Sequence, residues 1–171
     1  PPYIGQARKH YDGLEINHRE LLDRLERDYP DGWALSCSAV TLHRLLDMAP
    51  AGVRVGIWVK PLVFFRPGVN PCYGWEAVIW KGGRKRRRKE PTAYDWVSVN
   101  TTFGTGTHGA KPPQFCYWVF ALLNILPGDI LDDLFPGSGA SGRALAGWQR
   151  QPLLVPRREK KRQGRLSTAL I

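Results

Sequence analysis

The segment Asp132-Asp133-Leu134-Phe135-Pro136-Gly137-Ser138-Gly139 constrains this chain more than any other. Ile130 to Phe135 reads as an apolar strand carrying a carboxylate near its end. The glycines that follow permit a turn at which backbone can approach a ligand closely. Small and apolar residues then run from Ala140 to Trp148, a helix whose first N–H groups have no intrahelical partner and face the turn. A Gly-x-Gly turn alone serves ordinary strand-to-helix connections as well as cofactor loops, so both readings stand at this point.

The rest of the chain repeats the alternation of strand and helix. Asn17 with Glu20 forms a capping-box pattern, and Leu21, Leu22, Leu25 and Tyr29 follow on one helical face. Trp33 to Ser36 is a short strand, and Ser38 caps a helix expected to turn Leu42, Leu45 and Leu46 inward. Val53 to Val59 and Tyr73 to Trp80 are the next strands, rich in β-branched and aromatic residues. Pro113 to Leu126 is predicted as an amphipathic helix with Phe115, Val119, Leu122 and Leu126 inward. The alternation predicts an α/β domain with a largely parallel sheet. One core is expected over residues 1–150, followed by a basic segment over 151–171.

Charge narrows the partners. The formal net charge is +10, and much of it is clustered. Lys81-Gly82-Gly83 leads into Arg84, Lys85, Arg86, Arg87, Arg88 and Lys89, candidate nucleic-acid-binding residues, and Arg157 to Arg162 forms a second basic stretch. Clustered cations attract phosphate backbones by releasing counterions; a solvated loop is the plainer alternative for the first run. The three cysteines, Cys37, Cys72 and Cys116, are scattered, so neither a disulfide framework nor a zinc site is expected, and a reducing cytoplasm is. The most apolar stretch, Phe115 to Leu126, is too short for a bilayer, which takes roughly 20 residues.

Three segments together resemble the DNA amino-methyltransferases, which modify adenine N6 or cytosine N4. Asp133-Leu134-Phe135-Pro136-Gly137-Ser138-Gly139 is similar to that family's Asp-Pro-Phe-x-Gly-Ser-Gly cofactor motif, with Leu134 in place of the usual proline. His108-Gly109-Ala110-Lys111-Pro112 resembles its His-Pro-x-x-Lys-Pro element. Pro1-Pro2-Tyr3 matches the end of its Asp/Asn/Ser-Pro-Pro-Tyr catalytic loop. Two weaker likenesses lie between: the aromatic-Glu strand at Trp75-Glu76, and the stretch from Asp31 to Gly83, which resembles small phage and actinobacterial methyltransferase-like proteins.

The resemblance implies a Rossmann-like S-adenosylmethionine (SAM) methyltransferase sheet in a cytoplasmic protein of a bacterial or phage-infected cell, with DNA as partner and no metal. It implies Pro1, Pro2 and Tyr3 as catalytic residues, and Lys111, Pro112, Asp133, Phe135, Gly137, Ser138 and Gly139 as cofactor-binding. For Glu76 a structural hydrogen bond is expected rather than catalysis. The catalytic loop precedes the cofactor motif, a permuted order. An exocyclic amine is a poor nucleophile because its lone pair is delocalised into the ring; oxygen acceptors on the amine localise it, and an aromatic ring stacks on the extruded base.

Two features depart from the pattern. Pro152 to Val155 offers a ribose-binding strand without a well-placed acid, Glu159 being the nearest. The family's strand leading into Pro-Pro-Tyr lies between the cofactor strand and the Trp33 strand, and the sequence begins after it. A fragment truncated at its N-terminus, with a gap in the middle of its sheet, is therefore expected. A nucleic-acid-binding protein that keeps the fold without catalysis is the alternative, and an RNA or protein substrate stays open.

Overall fold

The structure is a computed structural model that describes residues 3–6, 15–65, 67–102, 110–150 and 167–170. Its elements follow from local chemistry. Helix α1 (His18–Asp28) begins where the Asn17 side chain accepts from the backbone N–H of Arg19 and Glu20. Strand β1 (Gly32–Ser38) follows a turn, and Ser38 accepts from Val40 N–H to start a single 3-10 turn. That turn feeds α2 (Leu42–Met48), which buries Leu45 but leaves Leu46 exposed, contrary to expectation. The helix is only seven residues long, so its buried stripe is one side chain wide.

β2 (Arg54–Val59) and β3 (Trp75–Gly82) form an antiparallel pair, and a three-residue strand, β4 (Trp96–Ser98), lies along β2. Helix α3 (Pro113–Leu123) ends three residues before the predicted Leu126. Asn124 takes a left-handed conformation there (φ 55°), and its N–H closes on Ala121 O. Leu126 therefore lies beyond the helix. β5 (Ile130–Asp133) ends on the carboxylate, two residues short of Phe135, and the turn leads into α4 (Ala140–Arg150).

The described strands form one six-stranded sheet in the order β4-β2-β3-β1-β6-β5. β6 is Ser167–Leu170. It runs parallel to both β1 and β5, and β3 is the one strand among these six that runs against the others. The predicted gap is thus overturned: β6 fills the place between the Trp33 strand and the cofactor strand. These four residues lie within the segment 151–171 expected outside the core, and they belong to the sheet. Thr168 and Ala169 are fully buried, because an internal parallel strand is covered on both faces and hydrogen-bonded on both edges.

Side-chain alternation assigns each face. Trp33, Leu35 and Cys37 of β1 and Ala77 and Ile79 of β3 pack against Leu21, Leu22 and Leu25 of α1 and Leu45 of α2. Ala34, Trp58, Val78 and Trp80 point the other way, onto Phe115, Val119, Phe120 and Leu123 of α3 and Ala144 of α4. The result is three layers, helices on both faces of the sheet. At the end of β3, a Cβ on Gly83 (φ 90°) would stand 2.8 Å from Leu123 O, so glycine is what lets this strand end touch the end of α3.

Candidate functional site

Five strands point their C-terminal ends the same way, and in open α/β sheets that edge is where ligands bind. Asp133 ends β5, and its carboxylate braces the turn beyond: it accepts from Phe135 N–H at 3.1 Å and from the Ser141 hydroxyl. Gly137 (φ 46°) and Gly139 (φ 70°) hold left-handed conformations in that turn. Gly139 N–H donates to Pro136 O, and Arg143 reaches back from the first turns of α4 to Ser138 O at 2.7 Å.

Beside this turn, between the N-terminal ends of α3 and α4, lies a cleft of about 360 Å³. Thr102, Ala110, Lys111, Pro113 and Tyr117 line one side, and Ala140, Arg143 and Ala144 the other. Its size falls within the range of small-molecule sites, roughly 300–1,000 Å³. Arg143 and the N-terminus of α4 stand on its wall, a pair suited to an anionic group.

The second part of the site is a charged cluster at the same sheet edge. Glu76 enters β3 opposite Ser38 on one side and Trp58 on the other. Its Oε1 accepts from Lys60 Nζ at 2.7 Å, and its Oε2 accepts from Lys111 Nζ at 2.6 Å and from Tyr3 Oη at 2.6 Å. Lys111 also donates to Tyr3 Oη at 2.7 Å. Lys111 Nζ sits 4.8–5.3 Å from the ring centroids of Trp58, Tyr3 and Phe115. Burial opposes the charge on Glu76, but the two ammonium groups outweigh it and hold its pKa near 2. Burial pushes the Cys37 and Cys116 thiols up to about 12 and 11, so neither is a thiolate at neutral pH.

The chain superposes on the M1.HpyAVI–SAM complex with a TM-score of 0.60 and 16% identity, covering 99% of this chain and 78% of that one. It superposes on the PvuII DNA methyltransferase (cytosine-N4-specific) with a TM-score of 0.55 and 15% identity, covering 99% and 72%. The fold is the methyltransferase fold. No family model and no curated protein matches the sequence.

On this methyltransferase sheet the anticipated residues divide. Pro1 and Pro2, with His108 and Gly109, lie outside the described residues, as do Pro152 to Pro156 and the second basic stretch. Tyr3 and Lys111 meet directly. Of the anticipated cofactor residues, Lys111 lines the cleft, and Gly139 immediately precedes its wall residue Ala140. Asp133 is engaged within the turn, Phe135 packs toward the α1 and α2 core, and Pro112 caps α3, its carbonyl taking Phe115 N–H. Arg143 was missed, although its spacing from Ala140 and Ala144 puts all three on one helical face.

The basic run lies at the far end of the sheet. Glu76 stands near one end of β3 and Gly82 closes the other, roughly 20 Å away, with Arg84 just beyond it. Arg84 pairs with Asp129 at 2.7 Å, with side chains only 8% and 4% exposed. Arg86 donates to Pro91 O and Ala121 O. Lys85, Arg87, Arg88 and Lys89 are exposed, and Arg87 faces Glu90. Among the described residues no helix is long and apolar enough to cross a membrane.

Proposed function

We propose that this chain is a SAM-dependent DNA methyltransferase that modifies an exocyclic base amine, adenine N6 first and cytosine N4 as the close variant. Its motif order is permuted, with the catalytic loop ahead of the cofactor motif, as in small phage-type enzymes. The observation that carries the reading is the Lys111 bridge. Lys111 lines the cleft beside the glycine turn and donates to Tyr3 of the Pro-Pro-Tyr segment. Segments far apart in sequence thus meet at one sheet edge.

The residues fit the cofactor. Arg143 and the α4 N-terminus suit its carboxylate, and the left-handed glycines let the turn pass close to it. When bound, SAM supplies an electrophilic methyl group on sulfur. Tyr3 supplies a stacking face for the extruded base, and Pro1 a carbonyl acceptor for the target amine. Together these turn the lone pair out of conjugation and toward the methyl group. The net charge of +10 supplies attraction for the DNA backbone.

The test is tritiated-methyl incorporation into mixed-sequence DNA, followed by separation of the digested nucleosides. The expected product is N6-methyladenine, with N4-methylcytosine the variant. DNA binding with intact cofactor binding and no label transfer identifies the non-catalytic alternative.

A further inference from the structure

Glu76 has no part in the reaction as derived, yet it is the centre of a half-buried charged cluster at the site edge. Resting on the methyltransferase reading, we infer that Glu76 is a positioning residue that locks the Tyr3 ring in its stacking orientation before the base arrives. Its carboxylate is divided between two tasks. Oε1 is taken by Lys60, and Oε2 closes a three-membered ring of hydrogen bonds with Tyr3 Oη and Lys111 Nζ. The phenol donates to Glu76 and accepts from Lys111, so the ring cannot slide or tilt without breaking two charge-assisted bonds.

The platform belongs to the sheet and the ring to a turn. Glu76 is hydrogen-bonded into the sheet with a neighbour on each side, whereas Tyr3 sits in a short turn closed by Gln6 N–H on Tyr3 O. A loop that must present an aromatic face gains its precision from such an anchor. The cluster is a poor choice for stability alone. Its side chains are 14% (Lys60), 19% (Glu76) and 24% (Lys111) exposed, and well-packed apolar residues generally serve a buried position as well as an ion cluster does. Lys111 is also accounted for: its ammonium is held by Glu76, Tyr3 and three aromatic rings, and it links the stacking residue to the cofactor cleft.

The experiment uses the whole chain labelled with 3-fluorotyrosine, with Tyr3→Phe identifying the Tyr3 resonance among the six tyrosines. Glu76→Gln shifts and broadens the Tyr3 resonance and leaves the others in place. In DNA methylation, Glu76→Gln and Tyr3→Phe each lower kcat roughly 10- to 100-fold, the scale of a misplaced reacting group, with the SAM Kd and the DNA KM held within about twofold. Glu76→Gln then adds little in the Tyr3→Phe background. A Tyr3 resonance indifferent to Glu76→Gln, or the same loss in both backgrounds, overturns the inference. Collapse of all resonances marks an unfolded variant. Tyr3→Phe, which removes only the hydroxyl, then decides: wild-type kcat from it overturns the inference, and the expected loss at unchanged DNA KM upholds it. A wild-type chain without methyl transfer overturns the function reading, and the fluorine spectrum still judges the anchor.

Discussion

Asp133, the last residue of the cofactor-motif strand, stands in parallel register with Leu170 of β6. Leu134 N–H donates to Leu170 O, so β6 also steadies the first residue of the glycine turn. The strand between β1 and β5 is thus hydrogen-bonded to the start of the turn beside the cleft. Ala169, its neighbour, is fully buried. Ala169→Asp therefore places an unpaired carboxylate inside the sheet and costs on the order of 3 kcal/mol or more. Urea unfolding followed by tryptophan fluorescence checks this; a change within about 0.5 kcal/mol, the range of surface substitutions, places Ala169 outside the core.

Gly137 lies at φ 46° with no heavy atom closer than 3.8 Å to the position of an added Cβ. The obstacle to a side chain there is conformational, and it is greatest for a β-branched residue. Gly137→Val is expected to weaken SAM binding at least tenfold by calorimetry, the equivalent of about 1.4 kcal/mol. Wild-type affinity in that variant removes the turn from the cofactor site.

Arg143 tests the cleft wall opposite Lys111. Arg143→Gln keeps a hydrogen-bond donor and removes the charge. The SAM Kd is expected to rise about tenfold, in line with the loss of one charge-assisted hydrogen bond. Adenosine, which lacks the methionine carboxylate, serves as control and is expected to bind both proteins equally. An equal loss for adenosine points to collapse of the cleft instead.

The basic run separates into two behaviours. Arg84→Met breaks a buried pair with Asp129 and is expected to cost about 3–5 kcal/mol. Neutralising Arg88 and Lys89, both exposed, is expected to leave the Tm unchanged. If they touch DNA, the slope of log affinity against log salt flattens by about 0.9 for each lost phosphate contact. An unchanged slope takes the run away from the DNA interface, consistent with its place at the far end of the sheet.

Acid tests the Glu76 cluster. Its folded pKa lies near 2, below the ordinary 4.5. A depressed carboxylate contributes stability above its unfolded pKa, and that contribution drains away as pH falls through the interval from about 4.5 to 2. Its size is about 3 kcal/mol at one pKa unit per 1.36 kcal/mol. Glu76→Gln is thus expected to flatten the stability profile over that interval. A variant whose profile parallels the wild type there removes Glu76 from the acid-sensitive set.

Features that depend on near neighbours could be read directly from the chain. The Asn17 cap, the strands β1 and β3, the glycine turn after Asp133 and the helix beyond it are set by residues a few positions apart, and all were legible there. Tertiary structure decided what depends on distance. Periodicity says which face of a strand is buried but not which strand lies beside it, so four residues at 167–170 could fill the place between β1 and β5 without any local signal. β4 was missed because three residues are too few to show a period. Tyr3 and Glu76 are 73 residues apart, Tyr3 and Lys111 are 108, and Arg84 and Asp129 are 45. Such pairs form only once packing has lowered the exposure of both partners to water, which is where an ion pair or a charged hydrogen bond gains its strength.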